Sequence, residues 1–161
     1  MKRKAMLTSC MVVPLMLSAL QGETRDRGLP DRASISNGRY LAMIAGCNDC
    51  HTKGYASSDG RTPESQWLMG DDLGWNGPWG TTWPVNLRLL ANSMSERAWM
   101  QTLKQAKARP PMPWYALRDM SDRDFRDLYR YLRHLGPGGR PAPDFLPPDK
   151  TPPEPYVRYP R

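Results

Sequence analysis

Two cysteines and a histidine in the first third of the chain have a spacing suited to covalent cofactor chemistry. They belong to the pentapeptide Cys47-Asn48-Asp49-Cys50-His51. Two thiols three residues apart match the two vinyl groups of a haem, which they can bind as thioethers, and the adjacent histidine can reach the iron. The motif therefore predicts one covalently attached haem c, with His51 as an iron ligand.

The same residues allow two other interpretations, a redox-active dithiol and a zinc site. A dithiol of that kind needs a β-α-β context, whereas Cys47 follows a predicted helix in an all-α pattern. A zinc site would need two further ligands, and His134 is the only other histidine. We expect His134 at the surface, because a cation is favoured near the end of a helix.

A methionine is the expected second iron ligand, because a thioether favours reduced iron and raises its potential. Met112 is the first candidate, since prolines on both sides stiffen the loop in which it lies, residues 109–115. Met120, just before the last predicted helix, is the alternative. Met94 and Met100 are expected to fill the core, the common role of methionine.

Three helices are predicted around these residues. The first covers residues 37–45 and ends at Gly46, the second follows the capping box at Ser93 and stops before Pro110, and the third runs from Ser121 to Gly136. Residues 52–90 read as a loop rich in glycine and tryptophan. A loop of that length is expected to be either functional or organised by a ligand, and haem would be such a ligand.

The two ends of the chain have their own compositions. Residues 1–22 have the plan of a cleaved signal peptide, a basic start and an apolar run shorter than the about 20 residues that span a bilayer. This predicts a periplasmic protein; an uncleaved anchor or a lipid on Cys10 is the alternative. We expect a flexible linker at 23–33, one domain at 34–136, and an extended proline-rich tail at 137–161.

The net charge limits the partners. The chain carries +7, and removal of Lys2, Arg3 and Lys4 with the signal peptide would leave +4. A mild positive excess can steer docking to an acidic protein, but it is not the clustered basic surface of a nucleic-acid binder.

The region from residue 34 to 137 resembles class I cytochromes c, especially the haem domains of bacterial dehydrogenase cytochrome subunits. The resemblance rests on Gly38-Arg39-Tyr40-Leu41, on residues 47–52, on Gly77-Pro78-Trp79-Gly80-Thr81 with Asn86-Leu87, on Pro111-Met112-Pro113-Trp114-Tyr115, and on Met120-Ser121-Asp122 leading into residues 128–132.

The resemblance implies an all-α class I cytochrome c fold, in which the first and last helices cross around the haem. The contact residues would be Tyr40, Leu41 and Ile44 on one helix and Leu128, Tyr131 and Leu132 on the other.

The resemblance also implies roles at the haem. Met112 would be the distal ligand, and a proline carbonyl, for which Pro78 is the candidate, would accept the free N–H of His51. Trp79 and Trp83 would donate to a haem propionate or pack on the haem face.

The function implied is single-electron transfer without substrate turnover, so the protein is expected not to be an enzyme. Donor and acceptor would be redox proteins such as a dehydrogenase, an oxidase or another cytochrome. We expect a monomer that meets the membrane only transiently or through a partner.

The chain departs from the family in two features. The family usually has several haem motifs and the sequence Asn-Thr-Pro-Asp, whereas this chain has one motif and Asn86-Leu87-Arg88, which favours a stand-alone carrier. A subunit permanently bound to a dehydrogenase or oxidase, and a haem sensor or enzyme with a labile sixth ligand, are the alternatives.

Overall fold

The structure is a computed structural model that describes residues 31–160. The predicted signal peptide, Cys10 and most of the predicted linker lie outside these residues. The elements in chain order are α1 Arg32–Ile44, α2 Cys47–His51, β1 Gly74–Gly77, β2 Gly80–Thr82, α3 Leu87–Asn92, α4 Glu96–Thr102, α5 Trp114–Asp119, α6 Asp122–Leu135 and β3 Tyr156–Arg158, with 3-10 turns at Ala56–Ser58 and Glu64–Gln66.

The first helix, α1, begins five residues earlier than predicted. Asp31 caps it, because its carboxylate accepts a hydrogen bond from the Ala33 amide at 3.1 Å. The helix therefore extends into the region predicted as linker. Gly46, with a φ of +70°, separates it from α2.

The first and last helices pack against each other, but the predicted contact face of α1 is wrong. Tyr40 and Ile44 are 52% and 60% exposed. The buried positions of α1 are Ser34, Gly38 and Ala42, spaced four residues apart on one side of the helix.

Gly38 explains this rotation of α1. A Cβ at Gly38 would overlap the carbonyl oxygen of Asp127 and lie 2.6 Å from the Cβ of Tyr131. Only glycine lets the two backbones approach so closely. On α6 the predicted residues Leu128, Tyr131 and Leu132 are all buried, as expected.

Polar bonds fix the register of the two helices. The Asn37 amide donates to the carboxylates of Asp124 and Asp127, at 2.9 Å in both cases, and the Ser34 hydroxyl donates to Asp127. Asp127 is buried, and burial of a charge is tolerated when it accepts several hydrogen bonds.

A second polar link joins α1, α6 and the segment between them. The Tyr131 hydroxyl donates to Glu64 at 2.8 Å, and the Arg39 guanidinium donates to the other oxygen of Glu64 at 2.9 Å. Burial opposes ionisation of Glu64, but these two donors outweigh it and hold the pKa of the carboxyl below its ordinary value. Arg39 also lies 5.0 Å from the ring centre of Trp67.

The rest of the core lies where α3 and α4 meet α6. Trp99 of α4 stacks on Phe125 of α6 at 5.3 Å between ring centres, and its N–H donates to the Phe125 carbonyl. The predicted start of α4 is two residues early, because Ser95 rather than Ser93 caps it. The helix ends at Thr102, so a longer loop than predicted leads to Met112.

The all-α expectation is corrected by a small sheet. Residues 52–90, predicted as loop, contain the antiparallel hairpin of β1 and β2 and the start of the helix α3. The proline-rich tail contributes β3, which pairs in parallel with β1 at the sheet edge. These strands are three or four residues long, too short for a pattern of alternating polarity to reveal them.

The described residues are thus mostly helical, with one three-stranded sheet packed beside the loops. Within residues 31–160, none of the helices has the length and apolar character required to cross a bilayer.

The close approach at Gly38 can be tested by substitution. We expect Gly38→Ala to lower the free energy of unfolding by at least about 2 kcal/mol, because the added methyl group forces α1 and α6 apart. Urea unfolding followed by circular dichroism would measure the change. Ser36→Ala, on the exposed face of the same helix, is the control and should change stability by less than about 0.5 kcal/mol. Equal stability of Gly38→Ala and the control would contradict the crossing described.

Candidate cofactor-attachment site

The two thiols and the histidine lie on one short helix. α2 contains only Cys47–His51, and the left-handed conformation of Gly46 makes the sharp turn that starts it. Residues three apart lie on the same side of a helix, so Cys47 and Cys50 share one face. Both cysteines are free thiols.

The ionisation of these thiols argues against a redox-active dithiol. Burial raises the pKa of Cys47 to about 11, and burial, followed by Asp49 and Asp71, raises the pKa of Cys50. A redox-active pair has the opposite property, a thiol pKa lowered toward neutrality. A zinc site also lacks support, because no three His, Cys, Asp or Glu side chains come together as metal ligands within residues 31–160.

The geometry of His51 fixes which nitrogen can bind a metal. Its Nδ1 lies 2.7 Å from the Val85 carbonyl oxygen. A carbonyl only accepts, so Nδ1 carries the proton, and Nε2 of the neutral ring keeps its lone pair. Burial lowers the pKa of His51 more than this hydrogen bond raises it, which favours the neutral ring. Nε2 of His51 is therefore available as a metal ligand.

The prediction that Pro78 supplies this carbonyl is wrong. Pro78 and Trp79 form the two-residue turn between β1 and β2, with Gly77 paired to Gly80. The chain then returns toward α2, and the acceptor is Val85, the residue after Pro84. A proline does precede the acceptor, but the hairpin displaces the site by seven residues along the chain.

Backbone contacts tie this returning chain to α2. The Gly70 amide donates to the His51 carbonyl at 2.8 Å. A Cβ at Gly70, whose φ is +82°, would lie 2.7 Å from the Pro84 carbonyl oxygen. Glycine is required here because the backbone of residues 84–86 lies within contact distance of residue 70.

A buried threonine joins the haem motif to the next segment. The Thr52 hydroxyl donates to the Asn48 side-chain oxygen at 2.7 Å and accepts a hydrogen bond from the Leu68 amide, also at 2.7 Å. Both Asn48 and Thr52 are almost fully buried. The side-chain NH2 group of Asn48 is buried without a hydrogen-bond partner among the described residues.

The two tryptophans predicted to reach a propionate, Trp79 and Trp83, differ in whether their N–H groups already have a hydrogen-bond partner. The N–H of Trp83 donates to the Asp72 carbonyl at 3.2 Å, so the structure already gives it a partner. The N–H of Trp79 is buried with no hydrogen-bond partner among residues 31–160, and so is that of Trp75. Tyr159 from the tail packs against both rings, with centres 5.3 Å from Trp79 and 6.0 Å from Trp75.

The methionines also fall into distinct environments. Met120 packs on the hydrophobic core, as do Met94 and Met100. Met112 is half-buried and lies outside that cluster, in a turn where its amide donates to the Arg109 carbonyl at 3.3 Å. A role in core packing is thus assigned to Met120 and not to Met112.

Some residues that shape the site were missed by sequence analysis. Val85 acts through its backbone, which no side-chain pattern can reveal. Arg88 of α3 is buried and donates to the Leu135, Gly136 and Ser65 carbonyls, so it caps the end of α6. The signal in the sequence that could have revealed Arg88 is its position after Asn86-Leu87, where the resembling family has a different motif.

The residues present fit a covalently bound haem. Two protonated thiols lie on one helical face, a neutral histidine offers Nε2, and two buried indole N–H groups have no partner within the described chain. This donor set matches the attachment and ligation chemistry of c-type haem.

Comparison with known proteins found one informative similarity. The chain is 31% identical over 126 residues to a fructose dehydrogenase cytochrome subunit from Gluconobacter japonicus, a match that covers 70% of this chain and 24% of the relative. The chain thus spans about a quarter of the length of that relative. The similarity supports a cytochrome-like relationship. No family model matches the chain, and no solved structure matches it.

The role of Thr52 can be measured directly. We expect Thr52→Val to lower the free energy of unfolding by about 2–3 kcal/mol, because it leaves the Leu68 amide and the Asn48 oxygen buried without partners. Thr52→Ser keeps the hydroxyl and should recover at least half of the loss. Thermal unfolding of the three proteins provides the measurement, and a valine variant as stable as the serine variant would contradict the hydrogen-bond assignment.

Proposed function

We propose that the protein is a c-type cytochrome that carries one haem on Cys47 and Cys50 and transfers single electrons. The observation that carries the proposal is the His51–Val85 hydrogen bond, because it prepares Nε2 as an iron ligand directly beside two free thiols. The similarity to a dehydrogenase cytochrome subunit supports the same class of function. A bound haem supplies one-electron chemistry between Fe(III) and Fe(II).

In this proposal the protein's own residues hold and orient the iron ligands. His51 would supply Nε2 to the iron, and the Val85 carbonyl keeps the ring from rotating and increases its basicity. Val85 is 46% exposed beside His51, which provides an apolar surface that a haem ring could cover. The free N–H groups of Trp79 and Trp75 are suited to donate to a propionate, whereas that of Trp83 is not.

Met112 is the proposed distal ligand. Its position outside the core cluster supports this choice, because the other candidate, Met120, already has a packing role. A sulfur ligand retained in both oxidation states favours rapid electron transfer and raises the potential. The protein then needs no substrate site, in keeping with a carrier rather than an enzyme.

The partner is proposed to be a redox protein such as a dehydrogenase, and the setting the periplasm after removal of residues 1–22. The name of the relative favours a second candidate, a subunit that stays bound to its dehydrogenase. Size-exclusion chromatography of the protein at native abundance distinguishes the two, because a free carrier elutes alone near 18 kDa or slightly below.

The first test concerns attachment. Expressed with export and haem-attachment machinery, the chain should retain one haem after denaturation, since thioether bonds survive unfolding. Cys47→Ser combined with Cys50→Ser should abolish retention, whereas Cys10→Ser, the matched cysteine control, should keep it. Pyridine haemochrome spectra and intact mass would measure the haem. Haem that remained bound in the double variant would disprove attachment at these residues.

The second test concerns the distal ligand. Met112→Ala should lose the weak far-red band of Met-ligated ferric haem. It should also lower the redox potential by on the order of 0.1–0.3 V, within the range of about 0.8 V over which axial ligands set haem potentials. Met120→Ala should keep the band and lose about 1–3 kcal/mol of stability, because it leaves a gap at the core. The opposite pattern would assign the sulfur to Met120.

A further inference from the structure

Two contacts hold the loop that contains Met112, and neither of them involves the Cys47–His51 motif. Residues 109–113 form the last part of the connection between α4, which ends at Thr102, and α5, which begins at Trp114, and they make few hydrogen bonds of their own. Within the loop the Met112 amide donates to the Arg109 carbonyl at 3.3 Å, and the Met112 carbonyl accepts from the Trp114 amide at 2.9 Å. The position of the loop on the protein therefore depends on contacts with other segments.

The first contact comes from the end of β2. The Thr82 hydroxyl donates to the Pro110 carbonyl at 2.8 Å, two residues before Met112. Proline has no N–H, so a loop with three prolines offers mainly carbonyl groups for anchoring. A hydroxyl donor at this point matches what the loop can accept.

The second contact comes from the proline-rich tail. The Arg109 guanidinium lies 3.8 Å from the ring centre of Phe145. Phe145 is itself held on β2, because the next residue, Leu146, exchanges two backbone hydrogen bonds with Thr81 at 2.8 and 3.0 Å. A Cβ at Gly80 would lie 2.9 Å from the Phe145 ring, so this ring rests directly on the strand.

Both contacts lead to the same short segment, residues 80–85. This segment ends at Val85, whose carbonyl accepts the hydrogen bond from His51. One continuous piece of chain thus contacts His51 through the Val85 carbonyl, and the Met112 loop through Thr82 and the tail.

We propose that Thr82 is a positioning residue for Met112, assisted by the stacking of Arg109 on Phe145. It holds the Met112 loop to the segment that also fixes His51, and so would keep the Met112 sulfur available to a bound haem iron in both oxidation states. This inference rests on the proposed function above. It also gives the proline-rich tail a role, as the support of Phe145.

The test uses competition for the iron in the holoprotein. Free imidazole can replace the methionine sulfur whenever the loop opens, and the far-red band reports the fraction of Met-ligated haem. Thr82→Val, which keeps the shape and removes the donor, should lower the imidazole concentration for half displacement by about 3- to 10-fold, the effect of losing one hydrogen bond. Thr82→Ser should restore the wild-type value to within about 2-fold.

Two further variants separate positioning from general stability. Phe145→Leu should lower the half-displacement concentration by about 2- to 5-fold, because the cation–π contact to Arg109 is lost. Thr62→Val is the matched control, since the Thr62 hydroxyl also makes a side-chain hydrogen bond, with the Ser58 hydroxyl at 3.1 Å, away from this loop. It should leave the imidazole titration unchanged.

The outcomes are distinguishable from a failure of the proposed function. A wild-type protein without haem, or without the far-red band, would overturn the proposed function and this inference with it. Wild-type protein with the band, and Thr82→Val with an unchanged titration, would overturn the inference alone. Equal shifts in Thr82→Val, Thr82→Ser and Thr62→Val would also overturn it, because they would indicate loss of overall stability.

Discussion

The hydrogen bond between His51 and the Val85 carbonyl is the constraint on which the site depends. It selects the tautomer of the ring, and it requires the chain to return to α2 after 34 residues. The hairpin of β1 and β2, the glycine at position 70 and the cap at Asn86 each make that return possible. Asn86 caps α3 with its oxygen and donates from its nitrogen to the Gly138 carbonyl, so the return is also fixed to the tail.

The parts of the fold that sequence analysis predicted correctly are those with local signals. The last helix begins after Ser121 and ends at Gly136 because the cap, the apolar spacing and the final glycine agree. The Cys47–His51 motif is equally local, since five consecutive residues contain both thiols and the histidine, and the haem that it indicates stays a prediction. Such features require no knowledge of what lies across the molecule, which is why one sequence is enough to find them.

The incorrect predictions concern features that depend on contacts between residues far apart in the chain. The exposed face of α1 was misassigned because Tyr40 and Ile44 are apolar, whereas the close approach at Gly38 depends on the backbone of α6. Pro78 was predicted to accept the hydrogen bond from His51 because the resembling family has a proline carbonyl after the motif. The hairpin instead places Pro78 in the turn between β1 and β2. The sheet escaped prediction because β3 comes from a tail whose prolines argue against strand except at an edge.

The parallel pairing of β1 with β3 joins segments about eighty residues apart. Closing a loop of that length costs conformational entropy, which the contacts of the tail must offset. The crossing of α1 and α6 closes a loop of similar length, since Ser34 contacts Asp127, 93 residues later in the chain. Neither closure is local, so removal of the tail or of the first turn of α1 would take contacts from β1 or α6, which lie about eighty residues or more away along the chain.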